Sequence, residues 1–426
     1  MSEREPPAEP TEPTEPADAA EHDQPASPAD SQDLPPPPTR RDVVVSLLRR
    51  AVLIPGLAIF AALVIGGLVI VFSTPSTLRA WGFFFSAPLE TLDRSWDLVA
   101  ESYTALLRSS LGSQSGFART LREMTTLLLA GLSVSLAFRA GLFNIGGAGQ
   151  ITAGALTAVT VGFSFEGLPT VVHLPLALVA GFVGGWLWGA IAGVLKARTG
   201  AHEVITTIML NFVASFLLLY LLKTDFFQPA GRADPISKQV EESARIPFFS
   251  HTFPAHWGLA LALLAAAGVW WLLRHTTIGF RMRAVGANPH AARYAGMNVG
   301  ATYALSMGLA GGLAGLGGAS YVLGVPSWSL SSPFGVASVG FDAIALALLG
   351  RANPAGVVAS SFLFAVLKTG STGMQVATET PVDIIVVIQA LIIVFVAAPA
   401  LVRTIFRVRA ERVGEGQAFT TNWGTA

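Results

Sequence analysis

The sequence has no cysteine. That removes disulfides, thiolate nucleophiles and Cys-ligated metals from consideration. Charge is scarce too. Asp, Glu, Lys and Arg make up 13% of the 426 residues, against roughly 25% in soluble domains. With 52% hydrophobic residues and a mean hydropathy of +0.57, most of the chain is expected in lipid. The phosphate-cradling pattern G-x-x-x-x-G-K-[ST] is also missing. Lys223-Thr224 and Lys368-Thr369 lack the preceding glycine, so nucleotide hydrolysis is not expected on this chain. His202-Glu203 opens no zinc helix, because Thr206 stands where the second His belongs. No Ser-His-Asp arrangement, metal cluster or nucleic-acid motif rises above background.

What is present is a series of apolar runs with short polar breaks. Residues 1–39 come first, acidic and proline-rich. They have almost nothing to bury and read as a disordered tail. They lack the basic start and apolar run of a signal peptide. Arg40, Arg41, Arg49 and Arg50 precede an apolar run, 51–72, long enough to span a bilayer. The arginines favour a cytoplasmic N-terminus. Residues 74–120 read as extracytoplasmic. Within them Leu92, Trp96, Val99, Tyr103 and Leu106 recur at helical spacing. They form an amphipathic helix that lies on the outer surface or packs onto neighbouring loops.

Further spans are predicted at 121–142, 147–165, 174–195, 203–222, 257–273, 301–323, 338–350, 355–370 and 382–402, making about ten. The fold class is an all-α integral membrane protein. The spans at 338–350 and 355–370 are short and read as candidate broken helices. Alternation places Arg139, Lys196, Arg198, the 274–300 loop, Arg351 and the tail from 404 on the cytoplasmic side. The charge-balanced 224–255 loop falls outside. Every short, acid-poor basic cluster thus lands on one side.

Two polar constellations stand out. Phe143 to Gln150 carries Gly146, Gly147 and Gly149 between Asn144 and Gln150. It reads either as a helix break lining a substrate pathway or as a tight turn with capping amides. Glu203, Thr207, Asn211 and Ser215 recur every fourth residue and form a polar stripe on one span. Such a stripe faces a path or a neighbouring helix, not lipid. Asp342, Lys368 and Asp383 are isolated charges read as lying near the outer boundary. Trp328, Phe334 and Phe341 are outer-side aromatics that suit either ligand stacking or interface anchoring.

The interval 274–300 is the most basic break, holding Arg274, Arg281, Arg283 and Arg293 without Asp or Glu. Asn288-Pro289 reads as a helix start and Gly296 as its stop. Ala352-Asn353-Pro354 repeats the start signal.

These stretches carry a resemblance. Ala137 to Gly146 running on to Gly149-Gln150, Glu203 to Asn211, Gly286-Ala287-Asn288-Pro289 through Met297, and Gly340 to Gly350 together resemble the permease subunits of bacterial ABC importers for nucleosides. That branch is related to the monosaccharide and branched-chain amino acid permeases. The likeness covers roughly residues 120–400. Some relatives carry Glu where this chain has Ala148.

The resemblance implies a multi-pass protein of the bacterial cytoplasmic membrane with the ABC importer permease fold. Its permease domain would span 40–403. It would pair with an identical or different permease subunit, and an extracytoplasmic lipoprotein would deliver substrate. Separate ATP-binding subunits would use ATP and Mg, so the chain itself is no enzyme and binds no cofactor. Asn144, Gln150, Glu203, Thr207, Asn211, Ser215, Phe341 and Asp342 are the candidate pathway residues. Asn288, Pro289, Ala292, Arg293 and Gly296 are the candidate ATPase-coupling residues in the 274–300 loop. An ion-coupled secondary transporter is the rival of another class. It would give Glu203, Asp342 or Asp383 a coupling role.

Overall fold

A computed structural model describes residues 53–250, 252–332 and 338–407. The tail at 1–39, the arginines at 40–50, Phe334 and the segment from 408 lie outside these residues. The chain opens with α1 (Ile54–Ser73), α2 (Pro75–Trp81), α3 (Pro88–Leu111) and α4 (Gln114–Arg139). Then come α5 (Gly147–Ser164), α6 (Thr170–Thr199), α7 (Glu203–Leu221) and α8 (Gly258–His275). The short α9 (Thr277–Ala287) and α10 (Pro289–Tyr294) lead into α11 (Val299–Gly324). The chain closes with α12 (Val339–Leu349), α13 (Pro354–Thr378), α14 (Asp383–Ala397) and α15 (Pro399–Ile405). Among the described residues extended pairing is limited to the isolated bridges Ile236–Ser331 and Phe248–His256. Seven of the helices are long and apolar enough to cross a membrane.

Helix starts follow local chemistry. The side chains of Ser113, Thr276, Asn288, Asn298 and Asn353 each accept from a first-turn backbone N–H. Pro289 and Pro354 follow two of these caps, as the repeated Asn-Pro signal predicts.

The bundle centres on α4 and α11. From Met124 to Ala137 every residue of α4 is buried. In contrast, α7 and α8 turn apolar residues such as Phe212, Phe216, Leu264 and Trp271 outward, the surface expected against lipid chains. The tightest helix contact is between α6 and α11. Gly181, Gly185, Gly189 and Gly193 lie four apart on α6 and so share a face. A Cβ on Gly185 would lie 2.7 Å from Gly315 Cα, and closer still to the Gly311 carbonyl oxygen. The two backbones therefore touch, an approach that only small residues permit.

Four expectations change. The predicted stripe on α3 is only partly buried: Leu92 and Trp96 are exposed, Val99 and Tyr103 are partly buried and Leu106 is buried, while most of the buried face is the hydroxyl row Thr91, Ser95, Ser102 and Ser110. The reason is close packing on α13. Ser102 Oγ donates to Thr378 Oγ1 at 3.0 Å, and Ser109 Oγ to the Gly370 carbonyl at 3.3 Å. Small hydroxyl residues line that seam, and the one leucine in it, Leu106, is seated against Gly370. Residues 114–120 belong to α4 rather than to the preceding extracytoplasmic segment. The span begun at Pro354 is a full 25-residue helix, whereas α12, with 11 residues, and α14, with 15, are the short ones. Finally, the 274–300 interval holds two helices, not one.

Candidate functional site

The turn from α4 to α5 is built from backbone closure and amide pairing. Gly141 takes φ +71° and ends α4: Gly141 N–H donates to Phe138 O at 3.1 Å and Leu142 N–H to Ala137 O at 3.0 Å. This is the glycine C-terminal motif that satisfies the last carbonyls of a helix. The chain then re-enters the bundle. Asn144 Nδ2 lies 3.5 Å from Ser133 Oγ, a residue about 9 Å up α4 from Arg139. So α5 starts inside the bundle and not at its end.

Fully buried Asn144 and Gln150 pair reciprocally. Asn144 Nδ2 donates to Gln150 Oε1 at 2.9 Å, and Gln150 Nε2 donates to Asn144 Oδ1 at 3.1 Å. Asn144 Oδ1 also accepts from Gly146 N–H at 3.0 Å. From α7, Asn211 completes the knot. Its Oδ1 accepts from Gly149 N–H at 2.8 Å and its Nδ2 donates to Ile145 O at 2.9 Å. Gly147 and Gly149 sit within α5, and Gly146 is its N-cap. The glycines therefore do not break the helix; they let neighbours approach. A Cβ on Gly147 would lie 3.0 Å from Gly340 Cα, so the starts of α5 and α12 meet inside the bundle.

The polar stripe of α7 splits. Thr207 is buried beside Gly146. Glu203 is buried, forms an ion pair with Lys196 and accepts from the Phe143 backbone N–H. Ser215 is exposed, and its hydroxyl folds back onto the Asn211 carbonyl at 3.0 Å. A four-residue step on an α-helix turns about 40° too far, so three steps carry Ser215 about 120° away from Glu203.

At the same end of the bundle lies the basic loop. Asn288 Oδ1 accepts from His290 N–H at 2.9 Å and Ala291 N–H at 3.0 Å. Gly296 follows with φ +79°. Ala292 is buried with Val285 and Val299, so it anchors α10 to the bundle and faces no partner. Arg293 is exposed, and Tyr294 is 94% exposed. Pattern reading passed over Tyr294, although an aromatic on a short polar helix is a recognisable signal of a protein contact. Through Gly286, α9 meets the α4–α5 turn: a Cβ on Gly141 would lie 3.0 Å from Gly286 Cα.

A third group lies toward the opposite end. Lys368 of α13 pairs with Glu123 of α4 at 3.3 Å, both about one third exposed. Asp342 in the first turn of α12 interacts electrostatically with both, as does Tyr321 of α11. Phe341 beside it is 58% exposed. Trp328 is committed elsewhere, since the Arg245 guanidinium lies 4.1 Å from its ring centroid.

From its first turn onward, α4 begins the region that a family model matches. Residues 116–397 fit the branched-chain amino acid transport system / permease component family. The chain belongs to this permease family. It is 39% identical over 316 residues to the guanosine ABC transporter permease NupP of Bacillus subtilis, covering 72% of this chain and 87% of that one. It is 35% identical over 312 residues to the nucleoside ABC transporter permease NupB of Lactococcus lactis, covering 70% and 84%. It is 34% identical over 353 residues to the glucose ABC transporter permease of Haloferax volcanii, covering 80% and 86%. No solved structure matches.

The permease thus keeps its candidate pathway residues, the exposed Ser215 aside, in two places. Asn144, Gln150, Thr207 and Asn211 meet around the start of α5, with Glu203 at its edge. Phe341 and Asp342 make none of these bonds and lie beside Gly340 in the first turn of α12. Sequence reading had Lys368 as an isolated charge, took Lys196 only as a cytoplasmic basic residue and missed Glu123 altogether. A carboxylate inside an apolar span is itself a signal, and Glu123 hides only because α4 is weakly apolar at its start.

Proposed function

We propose that this permease carries nucleosides inward across the bacterial cytoplasmic membrane as part of an ATP-driven importer. The observation that carries the reading is its likeness to guanosine and nucleoside permeases over most of their length. ATP hydrolysis belongs to separate ATP-binding chains. A second permease subunit, identical or different, and an extracytoplasmic binding lipoprotein complete the assembly. In this reading ten helices cross the membrane: α1, α4 to α8 and α11 to α14, with both termini cytoplasmic. Neighbourhood in the bundle supports one sidedness for the basic breaks. Arg139 Nε donates to Ala352 O at 2.8 Å, and Gly286 backs onto the Gly141 turn. The segment 224–255 pairs with 328–332 at the other end, as in Val240 N–H to Trp328 O at 2.8 Å. The basic end is cytoplasmic by the positive-inside rule.

Deleting this chain from cells that hold the whole transporter is expected to abolish ATP-dependent uptake of radiolabelled nucleoside. Unchanged uptake, with no ATP-binding chain co-purifying, would sink the reading. The glucose relative favours a monosaccharide as the second candidate, and competition by unlabelled glucose in the same assay separates the two. Uptake that a protonophore abolishes while ATP persists would point instead to ion coupling.

The 274–300 loop is the proposed docking site for the ATP-binding chains. Asn288→Leu with Pro289→Gly removes the cap of α10, worth about 1 kcal/mol. Reduced stimulation of ATPase activity by the binding protein is expected, with nucleoside binding to that protein unaltered. Tyr294→Ala is expected to weaken ATPase docking without lowering thermal stability, because its ring touches little of its own chain.

A further inference from the structure

Exposed surface in this bundle is of two kinds. On α7 and α8 it is apolar, with Ile205, Met209, Phe212 and Phe216 outward on α7. On the second half of α13 it is mixed, with Val376 exposed beside a polar strip. Lys368, Thr372 and Gln375 fall four and three residues apart, which puts them on one helix face. Thr372 and Gln375 are exposed, and Lys368 is partly so. Around Lys368, at the inner end of this face, stand Glu123, Tyr321 and Asp342, one from each of three other helices.

Depth gives the arrangement its meaning. Lys368 lies about 21 Å along α13 from Pro354, and Glu123 about 24 Å along α4 from Arg139. In a hydrocarbon layer about 30 Å thick both positions fall just below the outer face, with Thr372 and Gln375 one and two turns further out along α13. A carboxylate–ammonium pair about one third exposed below that face is costly against lipid and is normally turned to a water-filled path or to protein. The amide knot around α5 offers no comparable opening, since Asn144, Gln150 and Asn211 are occupied by one another and by backbone groups.

We propose that Glu123, Asp342, Lys368, Thr372 and Gln375 line a wet groove of the translocation path and hold the vicinal hydroxyls of a passing pentose. Carboxylates accept hydrogen bonds from adjacent hydroxyls, an ammonium donates to hydroxyl or ring oxygens, and the Thr and Gln side chains do both. Donors and acceptors of both kinds on facing helices suit a neutral polyol. The ligand rests on the nucleoside reading above; the groove does not.

The absence of cysteine makes the groove directly testable in the complete transporter. Thr372→Cys and Gln375→Cys are expected to react in intact cells with a charged, membrane-impermeant maleimide. Phe212→Cys, on the lipid-like face of α7, is expected to stay unreacted. Saturating ribonucleoside should slow the reaction, and a 2′,3′-dideoxynucleoside should not. Asp342→Asn and Glu123→Gln are expected to lower the uptake ratio of ribonucleoside to 2′,3′-dideoxynucleoside by about tenfold, since a site made to bond a hydroxyl discriminates strongly against its loss. Thr372→Val and Gln375→Leu, both on exposed positions, should shift the ratio the same way without altering abundance in the membrane.

Unreactive cysteines at both positions would overturn the groove. Reactive cysteines with an unchanged uptake ratio in all four variants would overturn the pentose contact and leave Glu123–Lys368 as a structural pair. An unaltered transporter that takes up no nucleoside would overturn the functional reading, and with it the pentose, while the labelling result still decides the groove.

Discussion

Gly185→Val is expected to leave almost no folded permease in the membrane. The β-carbon alone would sit 2.7 Å from Gly315 Cα and 2.9 Å from Gly315 N, with the Gly311 carbonyl nearer still. All three obstacles are backbone, so no rotamer change relieves them. Either α6 and α11 separate along their shared glycine face or the substitution is rejected. Overpacking of side chains costs typically about 1–3 kcal/mol. Separating two helices whose backbones touch loses contacts along the whole seam and exceeds that range. Gly268→Val on α8 is the matching control, since a Cβ there meets nothing within 4 Å. Membrane abundance by immunoblot and thermal stability in detergent are the measurements. Equal abundance of the two variants would show that the seam yields more easily than its geometry indicates.

Asn211→Leu is expected to cut uptake more than any other single change on α7. The side chain holds Gly149 N–H and Ile145 O, at 2.8 and 2.9 Å. Leucine leaves both without a partner in the bundle. Each such group costs about 1–3 kcal/mol, so the start of α5 loosens and the amide pair of Asn144 and Gln150 loses its support. Ser215→Ala is expected to be silent, because that hydroxyl is exposed and bonds only its own helix. Melting temperature distinguishes the possible reasons for lost uptake. A fall alongside uptake fits a positioning role. A stable variant with normal ATPase docking but no transport would instead place Asn211 on the substrate path.

Much of the fold was legible because its signals are local. Asn288-Pro289 and Asn353-Pro354 start helices through contacts within one turn. The apolar runs correspond to helices because lipid demands long stretches with internal hydrogen bonding. What escaped reading depends on partners far away in the chain. The buried hydroxyl face of α3 reads as polar, yet it answers the glycines of α13. The helix α9 has Gly279 and Gly286 in its sequence, which argue against a helix locally. Both are required by tight contacts with the Leu272–Leu273 backbone and with Arg139–Gly141. The ion pair of Glu203 with Lys196, on the preceding helix, was likewise out of reach of pattern reading.

The same distance effect governs the site. Gln150 and Asn144 are near in sequence, so their association was readable, though not that they bond each other. Glu123, Asp342 and Lys368 are far apart, and only packing of α4, α12 and α13 unites them. No periodicity within one helix announces such a group.

The glycine joint between Gly141 and Gly286 has a mechanical consequence. Most helix contacts contain side chains that give way by changing rotamer, which works like play in a linkage. This joint has none. A displacement of α9 would press on the α4–α5 turn with no side chain between them to absorb it, and six residues on, at Gly147, the chain makes a second bare contact with Gly340. The permease therefore contains two gear teeth without backlash between its basic loop and the first turn of α12, where Asp342 stands.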